Sequence, residues 1–368
     1  MDRKQKVLIF PFSRDAISLV LFLKENNTRY EISHLVAPNC IGETGKDAGE
    51  YYNLPTIGIP VESDFEECIA DSDIVFFVWS KMNSQIDQKC RECILYALKC
   101  QKTVECFDSL DEVFLGTLKE YCESGRLICH SQYTEANVEV KQFQKLYSIN
   151  TPTVFIGETV NGLEGYDVML CLTEQFKKEG YKVSAIGDKC YSEFMGLRKM
   201  PRFIYKSPTC LDNLVYDFNK LVKDMEIQEQ PDIIFIQLPG AIMKFNNEMP
   251  NGFGIMPYLL SQAVNADAII LCMPFDEVDI KYFDMLNDVC MHHLGIELCG
   301  VDMSNSLLDV PSSKQAMKPS YLQLSQERLD DNLKQNYEKS HRPIFNCFNR
   351  ADCKRMSKRL IDILSCNT

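Results

Sequence analysis

The sequence predicts an α/β protein of two Rossmann-like domains with mostly parallel sheets, the second of them P-loop-like. Short apolar runs alternate with amphipathic stretches along most of the chain, and that alternation pauses near residue 150 and then restarts. Length agrees, because 368 residues exceed what one hydrophobic core usually serves.

The first unit is expected over about residues 1–150. Val7-Leu-Ile-Phe-Pro-Phe reads as a buried strand, Ala16–Lys24 as a helix and Tyr30–Val36 as a second strand. Then come strand Asp73–Trp79, a helix from Ile86 to Leu98, strand Thr103–Phe107, a helix near 109–123 and strand Arg126–Cys129. Strands that are apolar throughout are buried on both faces, as in parallel sheets covered by helices. The dinucleotide fingerprint is missing after the first strand, since Phe10-Pro-Phe-Ser-Arg-Asp-Ala contains no glycine. A later cluster, Cys40-Ile-Gly42-Glu-Thr-Gly45-Lys46-Asp-Ala-Gly49, lacks GxxxxGK spacing and reads as a turn, with Lys46 a candidate for an anionic ligand.

The second unit is expected over about residues 151–310. Its strands are Val154–Gly157, Lys182–Gly187, Asp232–Gly240, Asp267–Pro274 and Ile296–Val301. Helices fall at Tyr166–Phe176 and near 209–226, 255–264 and 279–294. Pro311–Pro319 reads as a polar loop, and 311–368 as an extension ending in helices.

A formal charge of −13 argues against a broad nucleic-acid surface, although Arg350–Leu360 is locally basic, and no nucleic-acid partner is expected. No stretch approaches the roughly 20 apolar residues of a membrane span, and the amino terminus is a poor secretion signal. The expected location is cytoplasmic, with the 17 cysteines reduced and used as small hydrophobes. Cys90 and Cys93 form a lone CxxC within a helix, read as packing. His292-His293, beside Cys290, read as structural or surface residues. No nucleophile elbow, HExxH motif or paired CxxC is present, and Cys190 and Tyr191 have no base at meaningful spacing.

The chemistry concentrates in Thr151-Pro-Thr-Val-Phe-Ile-Gly157-Glu-Thr-Val-Asn-Gly162-Leu-Glu-Gly165-Tyr-Asp-Val-Met. An apolar run, a glycine turn and a helix are the outline of a phosphate loop, and Gly157 and Gly162 have its separation. Leu163 stands where the lysine belongs, and Glu164 where a serine or threonine would meet magnesium. Gly157, Gly162 and Gly165 equally suit a tight strand-to-helix turn. Glu158, Glu164, Asp167 and Asp188 are candidates to gather at the carboxyl edge of the sheet around magnesium or a cationic substrate. Asp276, Glu277 and Asp279 form a further acidic turn, and Asn251–Met256 is a candidate lid or a structural loop.

The order of strand, glycine turn, helix, Asp188 and Pro-Asp-Ile-Ile-Phe-Ile-Gln-Leu-Pro239-Gly240 resembles the P-loop proteins that include molybdopterin-guanine-dinucleotide accessory proteins and dethiobiotin synthetases. That resemblance implies a nucleotide with magnesium, Asp188 as the metal ligand and Pro239-Gly240 as the sensor of the outer phosphate. The whole order of segments, from KVLIFPFSRD through PTVFIGETVNGLEGYDV to PDIIFIQLPG, also resembles a clostridial family of peptide-maturation system proteins. This second resemblance implies an accessory or scaffold role, with a precursor peptide or a peptide-modifying enzyme as partner and no catalytic residue to carry over. A nucleotide-dependent enzyme with a lysine-less loop is the alternative.

Overall fold

Continuous apolar runs become the central strands of two sheets. The computed structural model describes residues 3–26, 29–38, 44–52, 54–78, 84–130, 145–205, 210–247, 251–276, 280–325, 327–329, 331, 333 and 343–366. The chain divides into two units, Met1–Asn137 with Lys189–Gly196, and Val138–Asp188 with Leu197–Thr368.

The first unit contains strands β1 (Gln5–Phe10), β2 (Tyr30–Val36), β3 (Val61–Glu62), β4 (Ile74–Phe77), β5 (Thr103–Cys106) and β6 (Leu127–Cys129). They form one parallel sheet in the order β3-β2-β1-β4-β5-β6, which reverses direction between β1 and β4 as dinucleotide-binding sheets do. Helices α1 (Ile17–Asn26), α2 (Phe65–Cys68) and α3 (Ser84–Lys99) connect them. The helix expected near 109–123 is two short ones, α4 (Glu112–Thr117) and α5 (Lys119–Glu123), separated at Leu118 with φ −106° and ψ 8°. Cys90 and Cys93 of α3 are both buried in the core beside Val104 and Phe77.

Residues Lys189–Gly196 belong with this unit because they bring an aromatic side chain to its core. The Phe194 ring lies 5.3–6.4 Å from those of Phe107, Phe76, Tyr30 and Phe22. Lys189 Nζ lies 2.5 Å from Asp15 Oδ1, and the Tyr191 hydroxyl donates to the Asp15 carbonyl at 2.7 Å. Tyr191 is therefore a packing residue. The glycine cluster of this unit is organised by Asp47, whose carboxylate accepts from the amides of Gly49, Ile57, Gly58 and Ile59. Cys40 and Gly42 lie outside the described residues.

The second unit contains β7 (Thr153–Glu158), β8 (Val183–Gly187), β9 (Arg198–Lys199), β10 (Ile233–Ala241), β11 (Ala268–Met273), β12 (Leu298–Met303), the hairpin strands β13 (Ser306–Leu308) and β14 (Tyr321–Gln323), and β15 (Ile344–Phe345). Seven of these form a parallel sheet in the order β15-β12-β11-β7-β10-β8-β9, with β7 at its centre. Its helices include α6 (Gly165–Lys178), α7 (Leu211–Glu229), α8 (Ile255–Ala263), α9 (Ile280–Val289), α10 (Val310–Ala316) and α11 (Arg350–Cys366). His292 and His293 are exposed on the π-helical turn Cys290–Leu294 that follows α9.

The structure differs from expectation at one loop and at one pair of cysteines. The stretch expected as a polar loop at Pro311–Pro319 begins inside α10. Asp309 caps that helix by accepting from the Ser312 amide at 3.2 Å, and Pro311 sits in the first turn, where its missing N–H costs nothing. The expected all-reduced thiols include one disulfide, Cys171–Cys353, which joins α6 to α11 across 182 residues. Packing of α11 against α6 brings the two Cα atoms to 6.3 Å, within bridging reach. Residues beyond 310 also complete the sheet, since β15 pairs with β12 and Met356 of α11 fills the space left by Gly300.

Closing so long a loop restricts the unfolded chain, by up to about 5 kcal/mol on loop-length scaling. Replacing Cys171 and Cys353 by serine is expected to lower stability by that amount in urea titrations under oxidising conditions. A reductant should abolish the difference between variant and parent.

Candidate phosphate-loop site

The central strand β7 delivers the site. Glu158, its last residue, pairs with Ala241 of β10 on one side and Cys272 of β11 on the other, so its side chain starts at the middle of the sheet's carboxyl edge. The chain then turns through Thr159–Glu164 into α6. In a phosphate loop the amides of this turn point inward at an anion. Here three amides at the helix entry point at Glu158. Its Oε2 accepts from the amides of Gly162 at 2.9 Å and Leu163 at 3.3 Å, and its Oε1 from that of Gly165 at 3.2 Å. Glu158 is only 8% exposed, so these charge-assisted bonds are shielded from water.

Each glycine of the motif serves this arrangement differently. Gly162 has φ +88°, a conformation disfavoured for any residue with a Cβ. At Gly165 a Cβ would come 2.8 Å from Glu158 Oε1, so the absent side chain makes room for the carboxylate. At Gly157 a Cβ would come 2.9 Å from Ile242 and 3.1 Å from Leu271, so that glycine answers to sheet packing.

Leu163 and Glu164, at the positions of the lysine and hydroxyl, are both buried. The β13–β14 hairpin holds this part of the loop. Ser306 Oγ donates to Glu164 at 3.3 Å, and the Tyr321 hydroxyl donates to the Asn161 carbonyl at 2.6 Å. From the sheet, the carbonyl of Cys272 accepts from the Thr159 amide at 2.9 Å. Pro239 and Gly240 lie in a bulge of β10, where pairing passes from Gln237↔Ile156 to Ala241↔Glu158. Gly240, at φ +79°, faces Asn161, whose Oδ1 would be 3.7 Å from a Cβ there. Asp188 follows β8, and its amide donates to Gln237 Oε1 of β10 at 3.0 Å.

Thus Gly157, Glu158, Gly162, Gly165 and Gly240 come together around the loop, while Asp188 is held through the neighbouring strand. Among the described residues, the group of three metal-donor side chains with ligand atoms within 4.8 Å is His34, Glu62 and Cys68, without Asp188. Asp276 is exposed, and Glu277 and Asp279 lie outside the described residues. In the candidate lid, Gly252, Phe253 and Gly254 all have φ between 61° and 72°. A Cβ at Gly254 would come 2.3 Å from the Ile242 carbonyl, so close backbone approach fixes this turn.

One residue of the edge was not singled out from the sequence. Asp302 of β12 pairs with Cys272, which pairs in turn with Glu158. It is fully buried; Oδ1 accepts from the Cys347 amide at 2.7 Å, and Oδ2 has no hydrogen-bond partner among the described residues. Burial pushes its carboxyl up to about 8, and the nearby Asp167 adds to the rise. Burial, with Asp302, Glu158 and Asp167 nearby, likewise raises the Cys272 thiol. A lone aspartate inside the apolar run Leu298-Cys-Gly-Val-Asp-Met was the available signal.

No protein-family model matches the sequence, and no curated protein matches it significantly. Among solved structures, it is similar to a duf1611 family protein from Anabaena variabilis, at 11% identity and a TM-score of 0.64, covering 98% of this chain and 100% of that one. It also matches the MinD cell division protein of Aquifex aeolicus at 16% identity and a TM-score of 0.33, over 58% of this chain and 98% of that one. Chloroplast FtsY from Physcomitrella patens matches at 15% identity and a TM-score of 0.31, over 77% and 90%. At 11% identity the first likeness is one of fold, and it extends over both units.

Asp302 also makes a pH prediction. Its folded pKa lies above the unfolded value, so the stability it contributes is fully present below about pH 4 and is lost as pH rises to about 8. In that window the parent protein is expected to lose up to about 1.4 kcal/mol per pH unit relative to Asp302→Asn, measured by urea unfolding at several pH values. Parallel pH profiles for the two proteins would contradict this assignment.

Proposed function

We propose that the protein is a non-hydrolysing accessory or scaffold protein built on a P-loop-like fold. The observation that carries this reading is the Glu158 carboxylate, which accepts from the three loop amides a phosphate would need. The charges agree with it. An ordinary loop places a lysine and a hydroxyl at the helix entry, whereas Leu163 and Glu164 provide no positive charge and one negative charge. In this conformation the residues do not fit a bound triphosphate. No catalytic step is assigned.

A peptide is the partner class we assign, either a precursor peptide or a segment of a peptide-modifying enzyme. The order of segments described above supports it, and so does surface chemistry at the start of α8. Phe253, Ile255 and Tyr258 are exposed there, with Ile255 and Tyr258 three residues apart on one helix face.

The second reading, a nucleotide-dependent enzyme with an atypical loop, is favoured by the strand–loop–helix order at β7 and α6. It requires Glu158 to leave the amides, and Asp188 would hold magnesium. Calorimetric titration separates the two. The proposal expects no heat from magnesium with ATP or GTP on the parent protein, and measurable tripolyphosphate binding once Glu158→Ala frees the amides. Tight nucleotide binding by the parent, lost in Asp188→Asn, would establish the second reading. Absence of association with the precursor peptide and its modifying enzyme in pull-downs would remove the peptide assignment.

A further inference from the structure

The first unit carries a donor cluster unconnected with the phosphate-like loop. His34 lies on β2, Glu62 ends β3 and Cys68 ends α2. The parallel register Leu35↔Val61 and Val36↔Glu62 places His34 two residues before Glu62's partner, on the same face of the sheet. That face is the one α2 covers, since Val36, Phe65 and Cys68 share a core cluster. A shift in the pairing of β1 with β2 falls immediately before His34, where Val7 faces Ile32 and Leu8 faces His34. Such irregularities re-aim side chains.

The three donors converge on one point. His34 Nδ1 lies 2.7 Å from Glu62 Oε1, Cys68 Sγ lies 2.7 Å from Glu62 Oε2, and all three ligand atoms fall within 4.8 Å of one another. A separation of 2.7 Å is ordinary for two oxygens but close for an oxygen and the larger sulfur atom. One side of the cluster is the apolar core around Cys68. The other is open, with the His34 and Glu62 side chains 20% and 36% exposed.

We propose that His34, Glu62 and Cys68 form a binding site for a zinc-class divalent cation. Imidazole nitrogen, carboxylate oxygen and thiolate sulfur together select a borderline-soft transition metal over magnesium or calcium. Three protein ligands leave a fourth tetrahedral position for water or a substrate atom, the pattern of catalytic rather than structural zinc. Binding forms the Sγ–metal bond and breaks the Sγ–H bond, and the proton goes to solvent. Burial pushes the free Cys68 thiol up, so the metal must displace its proton and binding strengthens as pH rises.

Cobalt(II) is the probe, because a thiolate ligand gives it a near-ultraviolet charge-transfer band. The background is the full chain with Cys100, Cys122 and Cys210 changed to serine, which removes the exposed thiols of the described residues from the signal. The expected result is saturation at one cobalt per chain, displacement by zinc and release of one proton. Loss of an outer partner of a metal ligand alone costs 10–100-fold, so Cys68→Ser, His34→Gln and Glu62→Gln should each weaken binding at least about a hundredfold. In Cys68→Ser the charge-transfer band should vanish, with circular dichroism confirming that each variant is folded. A band that persists in folded Cys68→Ser, or no saturable cobalt binding by the background protein, would overturn the site.

Discussion

A turn that aims three amide N–H groups at one point, at the amino end of a 14-residue helix, concentrates positive partial charge where water has little access. Unpaired buried donors cost about 1–3 kcal/mol each, so such a turn needs an acceptor in place. The residue that ends the preceding strand supplies it. Glu158 stands one position after the packing glycine Gly157, and Gly165 leaves the space its carboxylate occupies. The missing side chain at Gly165 follows from that internal anion, and the β13–β14 hairpin meets the same loop at Asn161 and Glu164.

The first unit solves a similar problem with Asp47, whose two oxygens accept from four amides of the turn between Gly49 and Ile59. In both units a carboxylate from the chain stands where a glycine-rich loop could receive an external anion. The difference lies in the surroundings. Asp47 organises a peripheral turn, whereas Glu158 sits at the centre of a seven-stranded sheet with Cys272 and Asp302 beside it.

Much of the fold was readable from the sequence because its central strands are buried on both faces. Val154-Phe-Ile and Ala268–Met273 are apolar without interruption, and their strands fall within a residue or two of expectation. Short edge strands were not readable. Val61–Glu62, Arg198–Lys199 and Ile344–Phe345 have two residues each, too few to show a period. The cysteine bridge was hidden because its halves lie 182 residues apart. At the loop, the missing lysine was visible, but the position of the Glu158 carboxylate depends on side-chain direction and on the room above Gly165. Pattern alone does not carry either. The His34, Glu62 and Cys68 cluster was hidden likewise, because its members share no spacing motif and meet only through strand register.

Amide hydrogen exchange reads out whether the Glu158 carboxylate is the acceptor for the loop amides in solution. Slow exchange is expected at Gly162, Leu163 and Gly165 in the parent protein, with selective acceleration at those three positions in Glu158→Ala. Exchange there that is unchanged by the substitution, but slowed in the parent by magnesium and a nucleotide, would contradict it.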